Sequence, residues 1–377
     1  MRNGIYIHVP FCLSRCFYCH FSTQLWDADL AKRYAHAVAH EIVGFAAKDA
    51  RENDVDSIYF GGGTPSLLST REVKEILNAC GSVFKITADC EISLEANPDT
   101  ITESKASDWR EMGINRISIG AQSFNNQELA AIGRIHSAEQ IGKSFRILRR
   151  FAFKNINLDL MLGLPQQTER QWLLNLGTIE SLSPEHLSVY MLDFEGSEPL
   201  SQSIEEGTIS VPEEDLIADW YLASLDYLLK AGYEQYEISN FAMPGFQCRH
   251  NLKYWMGIPV WGFGPGGHSY DGEFRYANYK DVNPYFKSLE EGNPPVEWRR
   301  HVSDSQKLQE ALFLGLRLRK GIDWDRLEST FPHSRTDRYK KVLFELQSQE
   351  LVEWQDTNVR LTRSGMLLSN EIFQKFV

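Results

Sequence analysis

Over the first half of the chain, short apolar segments rich in Ile, Val, Leu, Tyr and Phe alternate with longer segments of helical pattern. The short segments end in polar or glycine-containing turns and predict strands at 4–9, 56–60, 90–95, 115–120, 156–161 and 186–192. The longer segments predict helices at 28–48, 70–80, 102–112, 137–151 and 168–182. Thr70 and Thr168 are the predicted N-caps of two of them. Repeated strand–helix units favour a parallel sheet, open or curled into a barrel, with its chemistry at the C-terminal strand ends.

After residue 195 this regular alternation stops, which divides the chain into the predicted regions 1–195, 196–298 and 299–377. The middle region has one helical stretch followed by a segment dense in Gly, Pro and aromatic residues. The last region combines three helical segments, a hairpin at 351–361 and a final helix, which is typical of a small winged-helix module. Its fourteen Lys and Arg against eleven Asp and Glu give no basic stripe for DNA, so a protein-contact or lid role is favoured.

The charge and composition of the chain restrict its possible binding partners and its cellular compartment. The 377 residues carry a formal net charge of −12, which argues against broad electrostatic binding to nucleic acid. No apolar run approaches the roughly 18 residues of a membrane span, and no signal peptide precedes Cys12. Six cysteines in this context predict a reducing, cytoplasmic compartment and metal binding rather than disulfides.

Three cysteines, Cys12, Cys16 and Cys19, follow the first predicted strand with the spacing C-x-x-x-C-x-x-C. A four-ligand zinc site usually uses two C-x-x-C knuckles, whereas a cubane iron–sulfur cluster normally takes four thiolates. Three thiolates leave one iron open for a small molecule, such as the amino and carboxylate groups of S-adenosylmethionine (SAM). On spacing alone, a zinc knuckle or unrelated core cysteines remain open alternatives.

Polar residues occur at the ends of the later predicted strands. The glycines of Gly61-Gly-Gly-Thr-Pro65 allow a ligand to approach the backbone, where exposed N–H groups can hold a carboxylate, although a tight turn is the alternative. Glu95 on an apolar strand needs a cationic partner, either the amino group of SAM or a structural Arg. The later strand ends carry Gln122, Arg134 and Asp159, and Asp159 could bind ribose hydroxyls. Together the polar residues at these strand ends predict one ligand site.

This set of residues resembles the cluster- and SAM-binding residues of the radical SAM superfamily. The resemblance is specific to the branch that contains oxygen-independent coproporphyrinogen III dehydrogenase and its HemW-type relatives. It implies an α/β fold with an open (β/α)₆ barrel, an α+β extension and a winged-helix-like C-terminal module. It also implies that Cys12, Cys16 and Cys19 ligate a [4Fe-4S] cluster. The SAM contacts that it implies are Tyr6, Gly62, Gly63, Thr64, Glu95, Gln122, Arg134 and Asp159.

Two features depart from the dehydrogenase pattern. Phe21 stands where that enzyme has a further cysteine, and only eleven residues precede Cys12 where the enzyme has a long N-terminal extension. Both features match the HemW-type heme chaperones, which bind heme and pass it to apo-proteins such as respiratory enzymes. The resemblance therefore implies chaperone activity more than decarboxylation of coproporphyrinogen.

The segment from Cys248 to Trp255 contains H-N-x-x-Y-W, which is associated with heme binding in the HemW type. His250 is a candidate iron ligand, and Tyr254 and Trp255 offer flat faces to a porphyrin. The alternative is a histidine that is satisfied within an aromatic core. Cys248 and His268 are secondary candidates for the iron, or packing residues.

Three functions follow from these observations. The first is a heme chaperone that carries a SAM-coordinated [4Fe-4S] cluster, with heme and heme-accepting apo-proteins as partners. The second is a radical SAM enzyme that acts on a porphyrin or as a methyltransferase. The third is a zinc-stabilised interaction protein. A homodimer, and peripheral association with a membrane through the partners, stay open at this stage.

Overall fold

The computed structural model of the chain describes residues 1–19, 23–45, 54–192 and 198–377. Phe21, the end of the first predicted helix and the predicted boundary at 195 lie outside the described residues. The strands, in chain order, are β1 (Asn3–Val9), β2 (Phe11–Cys12), β3 (Gln24–Leu25), β4 (Asp54–Gly62), β5 (Lys85–Ala96), β6 (Arg116–Gln122), β7 (Ile156–Leu162), β8 (His186–Met191), β9 (Glu234–Glu237), β10 (Asn240–Ala242), β11 (Val260–Phe263), β12 (His268–Tyr270), β13 (Phe274–Asn278), β14 (Val296–His301), β15 (Ile322–Asp323), β16 (Val352–Gln355) and β17 (Asn358–Leu361).

Helices connect most of these strands. In chain order they are α1 (Ala28–Gly44), α2 (Thr70–Val83), α3 (Glu103–Glu111), α4 (Asn126–Ala131), α5 (Ala138–Arg150), α6 (Glu169–Leu182), α7 (Pro199–Glu205), α8 (Glu214–Lys230), α9 (Arg249–Trp255), α10 (Val282–Glu290), α11 (Asp304–Arg317), α12 (Trp324–Thr330), α13 (His333–Ser348), α14 (Arg363–Leu367) and α15 (Ser369–Gln374). Two short 3₁₀ turns, Pro65–Leu67 and Pro98–Thr100, follow β4 and β5.

Six parallel strands form the centre of the main sheet. They lie in chain order, β1-β4-β5-β6-β7-β8, and helices cross over between successive strands from β4 onward. The sheet does not close on itself, because β1 pairs on its outer side with β11 and β8 pairs on its outer side with β10. This arrangement confirms the expected open (β/α)₆ barrel.

The apolar residues of the predicted strands and helices meet in one core. Alternate positions such as Ile5 and Ile7 in β1 are fully buried, and α1 buries Tyr34 and Val38 on the face turned to the sheet. The predicted cap Thr168 is correct, because its side chain accepts from the backbone of Gln171. The prediction that Thr70 caps the second helix is wrong.

Ser69, the residue before Thr70, caps α2 instead. Its side chain accepts from the backbone N–H of Glu72, and the Glu72 carboxylate accepts in return from the backbone N–H of Ser69. This reciprocal pair satisfies two donors that a helix start leaves without partners, so it outcompetes a single bond from Thr70.

Strands from the middle of the chain extend the same sheet on both sides. β10 and β9 continue it beyond β8, and β11 to β14 continue it beyond β1. The last region has helices α11, α12 and α13 beside a three-stranded sheet of order β15-β17-β16, which is the expected winged-helix-like arrangement. In the parts of the chain that the structure describes, no helix combines the length and hydropathy needed to cross a bilayer.

Candidate functional site

A cavity of about 520 Å³ lies at the C-terminal ends of the parallel strands. The predicted site residues that line it are Tyr6, Cys12, Cys16, Cys19, Gly62, Gly63, Thr64, Glu95, Gln122, Arg134 and Asp159. The structure therefore brings the predicted cluster loop and the predicted SAM contacts into one space. The remaining predicted residues, His250, Tyr254 and Trp255, are not part of its wall.

A chain of hydrogen bonds joins two of the cysteines. Thr64 Oγ1 donates to Cys12 Sγ at 3.6 Å and accepts from Asn97 Nδ2 at 3.3 Å. Arg134 Nη2 donates to Asn97 Oδ1 at 2.8 Å, and Arg134 Nη1 donates to Cys16 Sγ at 3.6 Å. Hydrogen-bond donors directed at sulfur stabilise the thiolate relative to the thiol. These hydrogen bonds therefore favour the thiolate form of Cys12 and Cys16, which is the form that binds a metal.

Asn97 is a site residue that the sequence interpretation missed. It lies two residues after Glu95 at the end of the same strand, so its position at a strand end was the available signal. Together with the carbonyl of Gly120, which accepts from Arg134 at 2.6 Å, it fixes the guanidinium above the cysteine loop. A Cβ at Gly120 would approach Arg134 Nη2 to 2.8 Å, so a larger residue there would displace the guanidinium.

The three cysteines of the loop supply thiolates to one cavity. Burial raises the pKa of the Cys12 thiol, the hydrogen bond from Thr64 lowers it, and the sulfurs of Cys19 and Cys16 raise it. Three thiolates are the ligands that a cubane takes when one of its irons stays open, so the donor set fits a [4Fe-4S] cluster.

The glycine turn after β4 is shaped by contact with the cysteine loop. Gly62 has a φ of +112°, and a Cβ at Gly63 would lie 2.6 Å from the carbonyl oxygen of Phe11. Two N–H groups of the turn are taken by backbone carbonyls, since Gly63 N donates to Val9 O at 2.7 Å and Thr64 N donates to Phe11 O at 2.7 Å. The Gly62 N–H instead donates to the carboxylate of Glu95 at 3.2 Å. The glycines therefore allow the turn to approach the cysteine loop closely, and one of them holds a carboxylate of the protein itself.

Glu95 is the carboxylate best placed for a cationic ligand. Its oxygens accept from the Tyr59 hydroxyl at 2.8 Å and from Gly62 N at 3.2 Å, and both donors are neutral. Burial, together with the nearby Asp159, raises the pKa of Glu95 to about 7. An ammonium group in the cavity would lower that pKa again and compensate the cost of the buried charge.

Asp159 lies near Glu95 in the same wall, on β7. It accepts from Asn157 Nδ2 at 2.7 Å and from Ser118 Oγ at 3.2 Å, and burial raises its pKa. Gln122, at the end of β6, has a left-handed backbone with φ of +63°, which is uncommon for a residue other than glycine. The polar groups of the cavity thus come from successive strand ends.

Comparison with known proteins identifies the family. The radical SAM superfamily model matches residues 6–176, and the HemN C-terminal domain model matches residues 302–368. The heme chaperone HemW of Bacillus subtilis is 35% identical over 376 residues, which cover 100% of this chain and 99% of that protein. The chain belongs to the HemW-type branch of the radical SAM superfamily.

Other HemW-type and related proteins agree with this placement. The bovine mitochondrial radical S-adenosyl methionine domain-containing protein 1 is 31% identical over 98% of this chain and 86% of its own length. The coproporphyrinogen III oxidase HemN from Escherichia coli superposes with a TM-score of 0.86 over 100% of this chain and 90% of its own, at 23% identity, and so shares the fold. The family implies SAM and a [4Fe-4S] cluster, and the cavity residues fit both.

The HemW-type H-N-x-x-Y-W segment forms α9, which lies beneath the barrel at the N-terminal ends of β1 and β4. The Lys253 ammonium, fully buried, is paired with Asp56 and donates to Arg2 O at 2.8 Å. These contacts attach α9 to the floor of the barrel, on the side opposite the cysteine loop.

His250 points from α9 into the barrel interior. It is 1% exposed, and its ring stacks on Tyr59 with centroids 5.1 Å apart and on Tyr6 at 6.2 Å. Its Nδ1 shares a hydrogen bond with Ser57 Oγ at 3.0 Å and its Nε2 with Tyr254 Oη at 3.1 Å. Burial lowers its pKa to about 3, so the ring is neutral. In this conformation neither nitrogen is free for a heme iron, which matches the alternative of a histidine within an aromatic core.

The other heme candidates are separated from one another. Cys248 is fully buried and donates to a carboxylate oxygen of Glu91 at 3.6 Å. His268 is exposed on β12, where its ring contacts Trp298. Tyr254 is 38% exposed, and Trp255 lines a second cavity that is described below. The structure therefore does not assemble these residues around one iron.

Proposed function

We propose that this chain is a cytoplasmic heme chaperone, which binds heme and transfers it to apo-proteins such as respiratory enzymes. The observation that carries the proposal is the similarity to the heme chaperone HemW of Bacillus subtilis, which extends over the whole chain. The second candidate, a radical SAM enzyme acting on a porphyrin or as a methyltransferase, has no comparable observation in its favour.

In this proposal the strand-end cavity holds the cofactors. Cys12, Cys16 and Cys19 bind three irons of a [4Fe-4S] cluster and leave the fourth to SAM. The Glu95 carboxylate accepts from the amino group of SAM, and Asp159 accepts from its ribose hydroxyls. The remaining assigned contacts to SAM are Tyr6, Gly62, Gly63, Thr64, Gln122 and Arg134.

Two residues of the chain set the charge balance and the side-chain orientation in the cavity. Arg134 directs one N–H at Cys16 and so offsets the negative charge that three thiolates bring together. Tyr59 orients Glu95 from below through its hydroxyl. A cluster bound here would supply electron transfer, and the protein would supply its ligands and their orientation.

In the same proposal the segment of His250, Tyr254 and Trp255 contacts heme, through Trp255 in the described conformation and through His250 only after a movement of α9. Of these, Trp255 is the residue that lines a cavity in the described conformation. His250 would reach an iron only if α9 left the floor of the barrel, which would break the pairing of Lys253 with Asp56.

The test is a heme transfer experiment. The protein is reconstituted anaerobically with iron and sulfide, loaded with heme with and without SAM, and mixed with an apo-cytochrome. We expect stoichiometric heme binding, seen as a Soret band, and movement of that band to the acceptor. Absence of heme binding would overturn the proposal. Steady conversion of coproporphyrinogen III to protoporphyrinogen IX, with reductant and SAM, would favour the enzyme instead.

A further inference from the structure

A second cavity of about 570 Å³ lies where the barrel meets the C-terminal module. Its wall comes from the end of α9, one face of α11, and the turn and helix that follow, β15 and α12. The apolar part of the wall includes Trp255, Met256, Leu314, Leu327 and Phe331. The volume is within the range of small-molecule sites, and we call this space the α9–α11 cleft.

The indole of Trp255 is held in place from outside the cleft. The guanidinium of Arg317 lies 4.4 Å from the ring centroid, and Arg317 does not line the cleft. Arg317 is itself fixed by a 2.8 Å ion pair to the fully buried carboxylate of Glu237. One face of the indole is therefore covered by a cation, and the ring is a rigid wall for whatever occupies the cleft.

Three cations border the apolar wall. They are Lys307, Lys320 and Arg326, and within the described residues none of their side chains forms an ion pair or side-chain hydrogen bond. The acids on the same wall are Glu310 and Asp323.

Neither acid neutralises these cations. Both oxygens of Glu310 are taken by Arg275, at 2.9 and 2.8 Å. Asp323 caps α12, where its side chain accepts from the backbone N–H of Arg326 at 3.1 Å. A chain of net charge −12 thus keeps an unmatched positive group beside an apolar cleft, which is complementary to a flat apolar molecule carrying carboxylates.

We infer that heme, the proposed cargo, binds in the α9–α11 cleft. The apolar macrocycle lies between Trp255 and the exposed face of α11, and its two propionates meet Lys307, Lys320 and Arg326. The inference rests on the proposed chaperone function and locates its cargo site at the opposite end of α9 from His250. It also gives the C-terminal module a role, because most of the wall belongs to that module.

The experiment compares heme with its dimethyl ester, which lacks the two negative charges, on the full-length reconstituted protein. The test variant is Lys307→Gln/Lys320→Gln/Arg326→Gln, and a matched control with the same loss of charge elsewhere is Arg71→Gln/Lys74→Gln/Lys375→Gln. A second test variant, Leu314→Trp, fills the cleft without changing charge. Soret titrations give the affinities, and iron and sulfide content together with SAM affinity report on the other cavity.

We expect the wild type and the control to bind heme at least about tenfold more tightly than the ester. In the charge variant the two ligands should bind alike, and Leu314→Trp should bind both weakly, with the cluster and SAM binding unchanged. Retained heme preference in the charge variant and retained affinity in Leu314→Trp would overturn the cleft as the cargo site while leaving the chaperone function standing. No heme binding by the wild type would overturn both.

Discussion

Glu95 has a protein environment that suits a cation although the described residues give it only neutral hydrogen-bond donors. Burial beside Asp159 raises its pKa and so disfavours the charged carboxylate. A positively charged ligand would stabilise the charged form of Glu95. Replacement of Glu95 should therefore change the affinity for that ligand more than the free energy of unfolding.

Replacing Glu95 with Gln should weaken SAM binding by about tenfold or more, because a charge-assisted hydrogen bond becomes a neutral one. The amide retains the size of the side chain, so cluster content should not change. Anaerobic calorimetry on the reconstituted protein measures the affinity, and Glu111→Gln, on the exposed end of α3, is the matched control. Equal SAM affinity in the Glu95 variant and the wild type would remove Glu95 from the site.

Single replacement of Cys12, Cys16 or Cys19 by Ala should abolish most iron and sulfide binding after reconstitution, because a cubane cannot be held by two thiolates here. The far-UV circular dichroism spectrum should stay that of the wild type, since these side chains contribute little to the core. The controls are Cys80→Ala and Cys90→Ala, whose buried thiols are far from the cavity wall and should keep full iron content. Full iron content in all three test variants would refute the cluster assignment.

At the scale of elements, α9 connects the two cavities. Its first turn places His250 beneath Tyr59, which in turn donates to Glu95, while its last residue lines the α9–α11 cleft. A helix of seven residues gains little stability by itself, so its position depends on these contacts and on Lys253.

The variant His250→Ala should leave the heme Soret band and heme affinity unchanged, because the ring has no free nitrogen in this structure. It should weaken SAM binding several-fold, since the cavity left beneath Tyr59 loosens the group that orients Glu95. His268→Ala, at the exposed candidate ligand, is the control. A shifted Soret band with about tenfold weaker heme binding in His250→Ala would instead show that α9 leaves the barrel floor to ligate heme.

The variant Lys253→Met should lower the free energy of unfolding by about 3 kcal/mol, because Asp56 is then a buried charge without its cation. The double variant Lys253→Met/Asp56→Asn should recover part of that loss. Urea unfolding monitored by circular dichroism measures both, and Lys32→Met, which breaks an exposed pair with Asp29, should cost less than about 1 kcal/mol. A similar small effect for Lys253→Met would show that α9 is not anchored by this pair.

At the scale of the whole molecule, two buried carboxylates affect stability across a wide pH range. Burial raises the pKa of Glu41 to about 7, although Tyr285, Gly264 and Asn278 donate to it, and burial raises that of Glu95 to a similar value. These two carboxyls therefore bind more protons in the native protein than in the unfolded chain between the ordinary Glu pKa and about 7, so their contribution to stability falls as pH rises through that window.

We expect the free energy of unfolding of the SAM-free protein, relative to that of Glu41→Gln, to decrease from pH 5 to pH 7.5 by at most about 3 kcal/mol. Buried histidines with a lowered pKa, such as His250, act in the opposite direction in both proteins and cancel in this difference. Urea titrations at several pH values provide the slope, with Glu111→Gln as the control. A slope that is equal in all three proteins would contradict the raised pKa of Glu41.

The fold was largely predictable from the sequence because most positions of the parallel strands are buried, so each strand contains a short apolar run. The strand-end rule likewise placed Glu95, Gln122 and Asp159 in one cavity with the cysteine loop. This rule needs only the position of a residue along its predicted strand, so it can be applied before any contact between residues is known.

Contacts between distant segments were not predictable in the same way. Nothing in H-N-x-x-Y-W indicates that His250 meets Ser57 and Tyr59, almost two hundred positions earlier in the chain. The pairing of Lys253 with Asp56 and the joining of β11 to β1 are equally non-local. The motif predicted that the segment matters, and only the tertiary structure showed that His250 packs beneath Tyr59 while Trp255 lines the α9–α11 cleft.

The position of α9 between two cavities restricts how this chain can diverge. A change at residue 250 alters what supports the aromatic floor formed by Tyr6 and Tyr59, so compensation would have to come from those two positions. A change at residue 255 would instead be answered at Arg317, whose guanidinium covers the indole. Substitutions in the seven residues of α9 are thus constrained by two separate sets of neighbouring residues. A homologue that changes one of the two cavities still has to keep the α9 residues that the other requires.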